Sequence, residues 1–140
     1  MADLTIRVPS EHVDAVRDSL LRLYSGVAEA LHRAAAGHAA GHDGAEAVRG
    51  HRMELADLED ALEQLGWSYD ATGPRDVAAH PEVLSDALHG AVIDAAERFA
   101  SACTDLWRAR DDGAAARAAL QRLEAAFALF ERVQGGSGAP

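Results

Sequence analysis

The chain has 140 residues, the size of one domain with a core of its own, and 49% of them are hydrophobic. Only 5% are aromatic and much of the apolar share is alanine, which suits closely packed helices better than a sandwich or barrel. A net charge of -10, from 23 acidic and 13 basic residues, argues against a phosphate-gripping protein and against binding to anionic membranes.

Residues Leu4 to Val8 alternate, with Leu4, Ile6 and Val8 on one side and Thr5 and Arg7 on the other, the period of a half-buried strand. Pro9 stops it and Ser10 stands where it would cap a helix, followed by Glu11 and Asp14. No second stretch reads as a strand. A lone strand leaves its backbone groups unpaired, so Leu4, Ile6 and Val8 are expected to pair with their own copy in a homodimer.

The first helix is predicted from Ser10 to Ala36, with Val13, Val16, Leu20, Leu23 and Val27 along one stripe. A loose Gly-rich segment follows at 37–44. The second helix is predicted over Ala45–Leu65, with Val48, Leu55, Leu58, Leu62 and Leu65 on one face and Gly66 at its C′ position. Residues 67–80 read as a loop. Pro81 suits the first turn of a third helix that runs to about Arg110, and Gly113 separates it from a fourth. The tail, 135–140, is Gly/Ser/Pro-rich and is expected to be disordered. No internal sequence repeat is apparent. The expected fold is therefore all-α: a four-helix antiparallel bundle in one domain, 1–134, with one short N-terminal β-strand paired across a homodimer.

The third helix carries apolar residues outside its main stripe. Ile93, Ala96, Ala100 and Trp107 are expected to meet a second subunit, or else to sit beneath the 67–80 loop.

Chemistry is sparse. Glu29 and His32 have the spacing of a bundle metal site but lie roughly 150° from their helix's apolar stripe, facing solvent. Asp86 also points far from its helix's stripe, and His89 sits on the border of it. His51 is in line with Leu55, Leu58 and Leu62, with Glu54 as its neighbour; one histidine and one carboxylate fall short of a catalytic zinc set. His38, His42 and Asp43 stand in a Gly-rich segment that supports no dedicated site. Cys103 is the only cysteine and is expected beside Phe99, Ala102 and Leu106 as a small hydrophobe, which leaves no internal disulfide and no thiolate cage. No nucleophile elbow, Walker loop or dinucleotide fingerprint occurs, so no catalytic residue, metal or cofactor is predicted. His51, Glu54, Trp67 and Tyr69 remain as a possible ligand pocket, because aromatic and charged groups gather in the longest loop.

The opening Leu4-Thr-Ile-Arg-Val-Pro-Ser-Glu is similar to the start of ribbon-helix-helix DNA-binding proteins. That resemblance implies two paired strands whose outward side chains, here Thr5 and Arg7, enter a major groove. Residues 1–36 carry four arginines and five carboxylates, which gives no basic surface, and the first helix continues past the expected turn. Asp3, Arg7 and Glu11 interrupt any apolar run at the N-terminus, and the cytoplasm is the expected compartment. The expected function is non-enzymatic: a homo-oligomeric interaction or scaffold protein, with a small-ligand or metal-binding bundle as the alternative and a ribbon-type DNA-binding regulator behind it.

Overall fold

The computed structural model describes residues 3–41, 43–68, 73–110 and 113–138. In chain order they form β1 (Leu4–Val8), α1 (Ser10–Ala39), α2 (Ala45–Leu65), β2 (Arg75–Ala79), α3 (Pro81–Ala109) and α4 (Ala114–Gly138). The all-α class holds. α4 continues to Gly138, four residues into the stretch expected to be a disordered tail.

The lone strand is the first correction. β1 pairs antiparallel with β2 of the same chain, in the register Leu4↔Ala79, Ile6↔Val77, Val8↔Arg75. Ile6 and Val8 are buried in this chain's own core and Leu4 packs against it, so the ribbon needs no second chain to complete it. β2 escapes a pattern search because its inward side chains are only Val77 and Ala79, and its flanking prolines, Pro74 and Pro81, read as loop. Those prolines in fact favour the strand. A residue before proline is steered to extended backbone, and His80, before Pro81, has φ -58° and ψ 138°.

A repeat also emerges that the sequence did not reveal. β1–α1–α2 and β2–α3–α4 are two strand–helix–helix units whose strands and first helices begin 71 residues apart. Ile6 and Val77 are equivalent under that shift and are partners at the centre of the ribbon, so a pseudo-two-fold axis passes through this pair. Val13, Val16 and Leu20 of α1 correspond to Leu84, Ala87 and Ala91 of α3, and all six are buried. In the second helices Leu58, Leu62 and Leu65 correspond to Ala126, Phe130 and Val133 at a shift of 68. The repeat lives in burial pattern and topology, not in residue identity.

α2 packs on α1, α4 packs on α3, and α1 crosses α3. The crossing is tight where Ser19 meets Gly90, its equivalent 71 residues on: a Cβ built on Gly90 would lie 2.5 Å from the Ser19 Oγ. Glycine permits that approach, and the Ser19 hydroxyl donates to the Asp86 carbonyl at 3.2 Å. Full burial concentrates near the ribbon. In α1 nothing beyond Leu20 is fully buried, nor in α2 before Leu58, nor in α3 beyond Ala95, so the two hairpins continue outward on half-buried contacts.

Helix ends follow local chemistry. Gly66 ends α2 at φ 94°, the left-handed conformation that glycine adopts without strain. Its carbonyl accepts from Nε of Arg17 at 2.7 Å, while Nη1 of Arg17 donates to Asp14 at 2.7 Å. Arg17 is fully buried and ties α1 to the end of α2. Ser10 is not a cap: Pro9 occupies the N-cap position and no side chain bonds to the free amides there. Among the described residues no helix is long and apolar enough to cross a membrane.

Candidate functional site

The pseudo-symmetry places two clefts at equivalent positions. The first, about 340 Å³, lies between α1, α2 and the start of α3, and includes Leu23, Val27, Glu54, Glu82 and Val83 in its lining. The second, about 240 Å³, lies between the start of α1, α3 and α4. Its lining has Asp94 where the first has Leu23, Arg98 where it has Val27, Glu11 where it has Glu82, and His12 where it has Val83. Arg122 of α4 holds the place of Glu54 of α2.

The two clefts differ in chemistry. The first is acidic, with Glu54, Asp57, Glu82 and Asp86 around it. Its histidine, His80, is engaged in the fold, since Nδ1 accepts the Glu82 amide at 3.2 Å and caps α3. The carboxylates do not converge: no three described His, Cys, Asp or Glu side chains close on a common metal position.

The second cleft has an alanine floor, Ala95, Ala115, Ala118 and Ala119, with charge at its edges. His12 enters it with a side chain only 4% exposed. Its Nε2 is buried and no described residue lies within hydrogen-bond distance; the nearest carboxylate, Glu11, stands 3.8 Å away. Burial pushes the His12 pKa below its ordinary value of 6.5; Glu11 and Asp94 oppose the shift and Arg122 adds to it. Desolvation thus favours the neutral ring. Arg98 is held by Asp94 at 2.9 Å, so the cation left facing the cleft is Arg122.

The residues expected to form one ligand pocket are not together. His51 Nδ1 lies 3.2 Å from Glu54, the local partner its position suggests, and its side chain is 29% exposed. Glu54 lines the first cleft, but His51 does not. Trp67 stands at the other end of α2, roughly 20 Å along the helix axis. There it packs edge-on against Tyr24 at 5.7 Å and donates from Nε1 to Glu63 at 3.0 Å, pinning the chain after Gly66 to the α1–α2 hairpin. Tyr69 lies outside the described residues, as does His42. Glu29 and His32 are exposed as expected; His38, also exposed, lies in the last turn of α1 and not in the loose segment expected there. Cys103 is exposed rather than packed, because the apolar neighbours Phe99, Ala102 and Leu106 are themselves only half-buried in the outer part of α3.

Sequence reasoning missed His12 and Arg17. A signal was present: His12 stands one turn before Val16 and Arg17 one turn after Val13, so both lie on the apolar stripe of α1.

The outer face of α3 behaves as its composition suggests. Ile93 is 45% and Trp107 83% exposed, and Ala96 and Ala100 between them are exposed too. The described part of the 67–80 segment does not cover them. Phe127 of α4, 47% exposed, leads into this face: it contacts Phe130, which contacts His89, one turn before Ile93. The equivalent positions on α1 are Arg22, Ser25, Glu29 and Ala36, and that of Phe127 is Glu59 on α2. The same surface is mostly polar in one half and apolar in the other. The sequence matches no family model, no curated protein and no solved structure.

Proposed function

We propose that the protein is a non-enzymatic interaction or scaffold protein that self-associates through the outer face of its second hairpin, with Ile93, Ala96, Ala100 and Trp107 at the contact. One observation carries this reading: the apolar stripe is exposed in α3 while its equivalent in α1 is mostly polar. Contiguous exposed apolar surface marks interaction sites, and tryptophan is the residue most enriched among those that dominate binding energy. β1 has a partner in β2 of the same chain, so this reading does not call on it.

Association measured by light scattering and native mass spectrometry across a concentration series tests the reading. A dimer is expected, with Trp107→Glu weakening it by about 30-fold, the size of a hot-spot loss of about 2 kcal/mol. Ala36→Glu, at the equivalent place on α1, should leave association unchanged. A monomer at all concentrations, or a dimer indifferent to Trp107→Glu and Ile93→Glu, sinks the proposal.

The ribbon offers little to nucleic acid. Arg7, the cation expected to reach a groove, stands opposite Asp76 and pairs with it at 3.3 Å. A matched pair on an acidic protein supplies no phosphate attraction.

A further inference from the structure

The second cleft differs from its equivalent in a way that packing does not require. Val83 shows that an apolar side chain fits at the place of His12, and leaving a buried ring nitrogen unpaired is costly to the folded state. The groups that replace Leu23, Val27, Val83 and Glu54 are polar, and Arg122 reverses a charge on a protein of net charge -10. A buried ring nitrogen and an arginine, neither with a hydrogen-bond partner among the described residues, together with an alanine floor describe a receptor for something small, anionic at one end and apolar at the other.

We propose that this cleft binds a small monocarboxylate, its carboxylate bridging the Arg122 guanidinium and the His12 Nε2–H, its apolar body lying on Ala95, Ala118 and Ala119. Size limits the ligand: a cleft of about 240 Å³ suits a short apolar body better than a long chain. Charge limits it too. Glu11 and Asp94 at the edge disfavour a dianion such as phosphate, and Arg98 is already occupied by Asp94. The carboxylate would satisfy the one buried imidazole nitrogen that lacks a hydrogen-bond partner among the described residues. The site is separate from the α3 face and owes nothing to self-association.

Butyrate is the probe. The full chain, labelled on its histidine ring nitrogens, is titrated with butyrate at pH 7 while the Nε2 resonance of His12 is followed, assigned by its absence in His12→Val. A saturable shift is expected, with at least tenfold weaker binding in Arg122→Gln, a change at an exposed residue that leaves the fold alone. Butyramide, the same shape without the charge, should bind at least tenfold more weakly, and inorganic phosphate should not displace butyrate. No saturable shift, or equal affinity in Arg122→Gln, overturns the site. Equal affinity for butyramide or displacement by phosphate overturns the monocarboxylate assignment.

Discussion

Where α1 turns Arg22, Ser25, Glu29 and Ala36 outward, α3 presents Ile93, Ala96, Ala100 and Trp107; where α3 sends Val83 into its cleft, α1 sends His12. Equal backbones thus carry opposite specialisations. The second half supplies a surface that remains apolar, and the first supplies a histidine where its counterpart supplies a valine. Positions that must pack across the axis keep their burial, whereas positions free of that duty have diverged. The differences between equivalent residues therefore separate what the shared packing needs from what it leaves free.

The largest test of that separation is Arg17, whose equivalent is Leu88, and both are fully buried. Arg17→Ala removes the bond to the Gly66 carbonyl and opens a cavity, and should cost about 3–5 kcal/mol in urea unfolding. Arg17→Leu, which copies the second half, should recover more than half of that loss. If leucine is as damaging as alanine, the guanidinium bonds and not the volume hold α1 to the end of α2, and the two halves differ more deeply than their packing suggests.

The crossing on the axis gives the next effect. Gly90→Ala drives a methyl into Ser19 and should cost about 2 kcal/mol, because α1 and α3 must separate to admit it. Gly26→Ala is the control within the same pair of helices. A Cβ there meets nothing within 4 Å, so the gain in helix propensity should stabilise the protein by about 0.5–1 kcal/mol. Opposite signs at two helical glycines would locate the contact at the axis; equal signs would mean that the helices are not in close approach at Gly90.

These residues also show what the sequence makes legible. Helices were readable because their leucines and valines recur at helical spacing and their ends carry Gly66 and Pro81. β2 was not, because Val77 and Ala79 are too few to make a pattern and the prolines beside them are ambiguous. The repeat is hidden for a related reason: Leu58, Leu62 and Leu65 correspond to buried Ala126, half-buried Phe130 and buried Val133, which keep the apolar character without the identity. The exposed face of α3 was visible as apolar residues off the main stripe, but its contrast with α1 needs the register that the ribbon defines. The cleft at His12 depends on α4 meeting α1 across the chain, and local spacing holds no record of that meeting.

The end of α3 allows a smaller test. Arg110 adopts φ 53°, a left-handed conformation that a side chain disfavours, whereas Gly66, which ends the second helix of the first half, takes its positive φ freely. Arg110→Gly should therefore raise stability by about 1 kcal/mol, read as a higher urea midpoint.

The smallest effect is the most specific to the two clefts. Because burial holds the His12 pKa below 6.5, the unfolded chain binds a proton there more readily than the folded one. The folded state keeps its full stability above pH 6.5 and loses it as the pH falls towards the folded pKa. His12→Val, which makes the second cleft resemble the first, removes that loss. Unfolding measured at pH 7.5 and pH 5.5 should then show the native chain losing ground to the variant only at the acidic value. The groups around the ring make the sign informative. Arg122 and burial disfavour the charged ring, while Glu11 on α1 and Asp94 on α3 favour it. If the native chain instead gains on His12→Val as the pH falls, those carboxylates prevail, His12 is held as an imidazolium by Glu11, and the cleft is an internal ion pair and not a receptor.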